Sequence, residues 1–301
     1  LFTTQVINFM INDRASAPEV QIITTEGADC VDTEVLTGDE MRACVSVPAV
    51  DPDGDAITYT YAWYRDGVLL EGFEDATMPA SESARGEMWR VDVTPWDSLG
   101  PGFTGQDTVT IQNTPPAVVD AAIEPDPPRT EDELLCAVGL TIDPDDDALT
   151  YAYSWTVNDL SAPVTSATLP SVYFGKGDIV ACVVTPSDGI DEGDSVTSTP
   201  ATIVNTAPSV AEVSIAPEIV STGDVLICSY AGFADPDGPD EPDESRFQWF
   251  LNGEAAATPG PAFAEEYSGG DVITCEVTPS DGVDDGVAVA ASVTVANTSP
   301  V

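Results

Sequence analysis

The sequence predicts an all-β chain of three tandem β-sandwiches, and three observations predict it. Landmark residues recur at a fixed spacing, short alternating strands fill every repeat, and cysteines and tryptophans keep a common order. The linker Asn113-Thr114-Pro115-Pro116 returns as Asn205-Thr206-Ala207-Pro208 and as Asn297-Thr298-Ser299-Pro300, 92 residues apart each time. Cys44, Cys136 and Cys228 keep the same spacing, as do Asp51, Asp143 and Asp235, each opening an Asp-Pro-Asp sequence. Trp63, Trp155 and Trp249 follow, and Val-Thr-Pro-X-Asp closes each unit at Val93–Asp97, Val184–Asp188 and Val277–Asp281. The boundaries that follow are 18–115, 116–207 and 208–301, preceded by residues 1–17 as an end strand plus linker.

Within a repeat the pattern is strand throughout. Ile57 to Trp63 and Leu149 to Trp155 alternate β-favouring and small polar residues with period two, and Gly, Pro, Asp and Ser interrupt the runs about every ten residues. No apolar period of 3.6 is sustained. About seven short strands in ~92 residues must bury two inner faces, and a sandwich does that.

The cysteines add a covalent expectation. Cys136, Trp155 and Cys182 stand in the order Cys, Trp, Cys of an immunoglobulin-type sandwich, and Cys228, Trp249 and Cys275 repeat it. Each bridge would close a loop worth roughly 3–4 kcal/mol. The first repeat departs: Val91 stands where the second cysteine belongs, and a six-residue excess before Cys44 carries Cys30. Cys30 pairs with Cys44 on the simplest reading; a free Cys30 linking two chains is the alternative. Paired cysteines place the protein in an oxidising compartment, secreted or at a cell surface.

The run Asp51 to Tyr64, the Val-Thr-Pro-Ser-Asp-Gly segments and the Asn-Thr-Ala-Pro linker resemble the PKD-like and immunoglobulin-like tandem repeats of large bacterial surface proteins, particularly of myxobacteria-like and marine lineages. The resemblance covers 18–298. It implies a secreted sandwich used as spacer, stalk or adhesive module, with no catalytic residues.

Composition narrows function independently. There are 53 acidic residues against 8 Lys plus Arg, a formal charge of -45. Such a chain repels phosphate backbones and anionic lipids, so neither nucleic acid nor a membrane surface is an expected partner. No segment approaches the ~18 consecutive apolar residues of a membrane span. The chain has no histidine, which removes Ser-His-Asp triads, Cys-His dyads and His-based zinc sites. Carboxylate-pair chemistry needs none, but among so many acids a pair carries little information. The expectation is no enzyme.

The acids are patterned, however. Asp51, Asp53 and Asp55 alternate in the loop between the cysteine strand and the tryptophan strand. Asp143, Asp145 and Asp147 repeat them, as do Asp235 and Asp237. In a sandwich this loop shares an end with the loop holding Asp97, Asp188 or Asp281. Calcium takes six to eight oxygens, and these residues are its candidate ligands at about 10⁻⁴–10⁻³ M. Turn formation by Asp and Gly explains the same residues without an ion. The third loop lacks the third alternating acid and is lengthened by Asp240, Glu241, Asp243 and Glu244.

Trp63, Trp155 and Trp249 are expected in the cores. Tyr59, Tyr61, Tyr151 and Tyr153 are expected as sheet-stabilising pairs. Trp89 and Trp96, peculiar to the first repeat, are candidates for a specific contact. Both ends read as cut from something longer: residues 1–13 as the last strand of a preceding domain, or as a donor strand completing a neighbour's sheet. Two functions stay open, a stalk or filament body stiffened by calcium, with neighbouring repeats or copies of itself as partners, and an adhesin binding surface carbohydrate or protein.

Overall fold

The computed structural model describes residues 13–24, 29–31 and 34–297. Among them every regular element is a strand or a single 3₁₀ turn, and all strand ladders are antiparallel. Among the described residues no helix is long and apolar enough to cross a membrane. Of the expected end strand at residues 1–13, residues 1–12 lie outside the described residues.

The chain divides into two compact units. The first holds residues 1–119 with 140–151 and 185–195, so the acidic end of the second repeat compacts with the first. Its larger sheet orders Val68–Leu69, Thr58–Arg65, Met88–Trp96 and Gly105–Thr110; the smaller orders Glu19–Thr24, Met41–Val47 and Thr77–Met78. Met88–Trp96 shows why a sheet forms: Trp89, Val91, Val93 and Pro95 are buried while their neighbours are not. Asp66 and Gly67, both at positive φ, make the two-residue turn from Arg65 into Val68.

The second unit holds 120–139, 152–184 and 196–301. Leu134–Val138 pairs with Ala121–Glu124 on one side and Thr168–Leu169 on the other. Leu160–Ala162, Thr150–Val157, Ile179–Ser187 and Val196–Thr197 follow one another in a second sheet of that repeat, of which residues 150–151 and 185–187 count with the first unit. The third repeat sets Glu212–Ala216, Leu226–Ala231 and Ala262–Phe263 against Glu254–Pro259, Arg246–Leu251, Val272–Thr278 and Val289–Thr294.

Each repeat is centred on a fully buried tryptophan, Trp63, Trp155 or Trp249. Each indole N–H donates to a backbone carbonyl at 3.0 Å, of Asp75, Ser166 and Gly260 respectively, which removes the cost of burying the polar tip. Bridges join Cys136 to Cys182 and Cys228 to Cys275 beside two of these indoles, and a third joins Cys30 to Cys44. No cysteine is free among the described residues.

In the first repeat the inter-sheet bridge is replaced by bulk. Val91 pairs with Trp63 in register, and Trp89 packs edge-on to Trp63 at 6.4 Å between centroids. Trp89 is fully buried, so it is a core residue and not a candidate contact. Its indole takes the strand position of Val180 and Ile273, while Ala43 and Val91 stand where the other repeats place their bridged cysteines. Trp96 is 40% exposed and donates to Thr60 Oγ1. Tyr59 and Tyr61 pack on the first core and Tyr153 on the second, while Tyr59 Oη also accepts the Ala49 N–H.

Candidate functional site

The aspartate loops fold by a common local rule. The first aspartate of each loop turns its Oδ1 back onto the backbone N–H two residues ahead: Asp51 accepts from Asp53, Asp143 from Asp145, and Asp235 from Asp237, at 2.8, 2.8 and 2.9 Å. This is the Asx turn that the residue types favour. Asp97, Asp188 and Asp281 do the same in the facing loop, each Oδ1 accepting two N–H groups at 2.7 Å.

The second aspartate of each loop faces outward to a linker. Asp145 Oδ2 accepts the N–H of Thr114 at 2.8 Å, and its Oδ1 accepts the Thr37 hydroxyl at 2.6 Å. Asp237 repeats both contacts, with the Thr206 N–H at 2.9 Å and the Thr130 hydroxyl. Asp53 Oδ2 likewise accepts the N–H of Asp13, at 2.8 Å. Asn113 Nδ2 donates to Asp188 and Asp191, and Asn205 Nδ2 donates to Asp281 and Asp284. Basic residues complete each set, Arg85 in the first and Lys176 with Arg129 in the second, where Arg129 lies 3.8 Å from Asp284 and donates to the Asn205 carbonyl. Arg85 forks onto Asp147 and bonds Asn113 Oδ1. Lys176 Nζ lies 2.8 Å from Glu241 and 3.6 Å from Asp237. The first set lies wholly within the first compact unit and the second wholly within the second.

Carboxylate oxygens of Asp143, Asp147 and Asp188 lie within 4.8 Å of one another, as do those of Asp235, Asp237 and Asp281. Asp145 is not in the first group, and Asp51, Asp53, Asp55 and Asp97 form no such group among the described residues. In the lengthened third loop, Glu241 meets Lys176 and Asp243 accepts from Tyr230. For calcium the arrangement cuts both ways. Asp51, Asp143 and Asp235 each keep a buried Oδ2 without a hydrogen-bond partner, the kind of hard oxygen that calcium takes as a ligand. Against it, both oxygens of Asp145, Asp188, Asp237 and Asp281 already accept hydrogen bonds, and two loops hold a protein cation.

Charge follows contact. The Asn113 amide, then the Asp191 and Ile190 N–H groups, hold Asp188 below the usual carboxylate range against its partial desolvation. Burial pushes Asp281 up, but donors from Asp284, Asn205 and Val283 outweigh it and leave it depressed. Burial, with the charge of Asp237, raises Asp235. Hydrogen bonds to Asp147 and Glu241 raise Arg85 and Lys176.

Sequence reasoning singled out the aspartates but missed their partners: Thr37, Thr130, Arg85, Lys176, Asp191 and Asp284. The signals were present in the periodic Asn-Thr linkers and in Lys176 as the sole lysine.

No family model and no curated protein matches the chain. Among solved structures, 94% of it aligns with 37% of the N-terminal eight immunoglobulin domains of Down syndrome cell adhesion molecule, at 12% identity and a TM-score of 0.43. Three N-terminal domains of the bacteriophage RB49 highly immunogenic outer capsid protein align over 94% of this chain and 99% of theirs, at 14% identity and 0.36. Chicken CNTN1 FN1-FN3 domains align over 95% and 100%, at 9% and 0.32. All three are tandem-domain structures.

Proposed function

We propose that the chain is a non-catalytic spacer of a secreted or surface protein, in which each repeat is locked to the next by linker-to-loop docking. One observation carries this reading: an Asn amide, a Thr backbone N–H and a Thr hydroxyl meet equivalent carboxylates at both junctions, and a basic side chain pairs with an acid of the same loop in each. Turn propensity alone explains aspartates in loops, but not matched partners 31 to 108 residues away. Three disulfides fit an oxidising surrounding. Electron microscopy of the purified chain tests the reading. The wild type should give beads with a narrow spread of angles between neighbours, and N113A/N205A a broad one. Equal breadth in the two would remove docking as the purpose of these residues. Ordered fibres would extend the reading to the body of a filament.

Calcium is a second reading of the same loops, favoured by the buried, unpartnered Oδ2 of Asp51, Asp143 and Asp235. Asp51 is the strongest case, being only 8% exposed and making no ion pair among the described residues. The adhesin alternative has a weaker support, the exposed Trp96, Leu99 and Phe103 of the first repeat.

A further inference from the structure

The three repeats can be superposed on one marker in sequence. Gly86, Gly177 and Gly270 all have positive φ, and each N–H donates at 2.9 Å to the carbonyl of Ile111, Ile203 or Val295, the residue just past the last strand before the linker. The residue immediately before this glycine is therefore held at the end of the repeat, beside the Asn-Thr linker. It is Arg85 in the first repeat, Lys176 in the second and Gly269 in the third. In a chain with only 8 basic residues among 301, two of them take this single structural position.

Both reach into a carboxylate group that would otherwise gather several negative charges. Arg85 pairs with Asp147, with Asp145 and Asp188 nearby; Lys176 pairs with Glu241 and Asp237, with Asp281 nearby, while the more exposed Arg129 stays at the rim, 3.8 Å from Asp284. Asp237 has a side chain with no exposed surface. Charged oxygens that are desolvated together repel strongly unless a cation sits among them. Side chains of about 30% exposure, as Arg85 and Lys176 are, hold that cation partly out of water, where screening by salt is weak.

We infer that Arg85 and Lys176 are tethered counter-ions that hold their two junctions docked without any dissolved divalent cation. The inference rests on the docked-junction reading and confines calcium to loops without such a residue. The first loop fits that class, since Asp51, Asp53 and Asp55 make no ion pair among the described residues. The end of the third repeat also lacks the cation, and a side chain there is crowded: a Cβ on Gly269 would lie 3.1 Å from Asn297.

Amide hydrogen exchange on the full chain provides the test, because the Thr114 and Thr206 N–H groups donate directly to Asp145 and Asp237. In wild type, protection of both should stay within about twofold between millimolar calcium and chelator. In R85M/K176M it should fall at least tenfold in chelator, whereas R85K should retain it at Thr114. Core amides such as Val184 should be unchanged, which separates loss of docking from unfolding. A tenfold fall in the wild type on chelation would overturn the inference and make calcium the counter-ion. Retention in R85M/K176M would overturn it by showing that no cation is needed. If Thr114 and Thr206 exchange like free chain in wild type under both conditions, the docked-junction reading fails and takes this inference with it.

Discussion

Asn113 gives one amide group to two carboxylates, donating to Asp188 at 2.7 Å and to Asp191 at 2.8 Å. A single neutral side chain thus holds two anions that lie 75 and 78 residues away along the chain. Asn205 does the same for Asp281 and Asp284. The aspartates supply like charge and the asparagine supplies the reason they can share a corner.

Removing the second amide should cost more than removing the first. Asp281 is 2% exposed, and a buried carboxylate that loses a donor loses about 1–2 kcal/mol. N205A should therefore lower the unfolding midpoint more than N113A does. Denaturant melts followed by Trp249 fluorescence check this; equal midpoints would show that the bond to Asp281 is not limiting.

Acid should act in two stages of opposite sign. Asp235 has a raised folded pKa, so its ionised form opposes folding; as pH falls through that raised value, protonation relieves the penalty. Asp188 and Asp281 have folded pKa values below the ordinary 3.8. Their contribution is complete above 3.8 and disappears as pH falls through their lower folded values. A stability curve from pH 6 to 2 should hold or rise slightly before dropping below about pH 3.8. A monotonic loss beginning near pH 6 contradicts the assigned directions.

The tryptophans of the first repeat should separate sharply. W89A empties a fully buried site and should cost about 3–5 kcal/mol, enough to unfold that repeat. W96A removes a 40% exposed ring and should cost under about 1 kcal/mol. Thermal melts of the two variants, read by near-ultraviolet dichroism, distinguish core from surface.

The bridges should rank by loop length and burial. Cys30–Cys44 closes 14 residues, whereas Cys136–Cys182 closes 46 around a buried core. C136A/C182A should cost about 4 kcal/mol and C30A/C44A about 3 kcal/mol or less. The reverse ranking in urea melts would mean that the insert carrying Cys30 is a larger structural element than its length implies.

Calcium should act chiefly at the first loop. D51N removes the charge beside the unpartnered Oδ2, so any rise in melting temperature with millimolar calcium should vanish in that variant. An undiminished rise in D51N would move the ion elsewhere.

Much of the fold was legible because its causes are local. Alternation in Thr58–Arg65 and Met88–Trp96, and the order Cys136, Trp155, Cys182, state which side chains face inward. Trp89 was misread because a missing cysteine leaves no trace of what replaces its volume; only the register opposite Arg65 puts that indole beside Trp63. The loops were legible as acids but not as half of a joint. Their donors sit in other repeats, and the contact of Thr37 with Asp145, 108 residues on, depends on the path of the chain rather than on either residue's neighbours.

The placement of the cations also shapes how the chain is cut. Trypsin requires an extended Arg or Lys, and this sequence offers only 8. Arg85 and Lys176 lie in turns within their repeats, each turn being the kind of exposed site where chains are nicked, yet both side chains are bound to carboxylates. The residues that close the seams are thereby withheld from a protease that would open them.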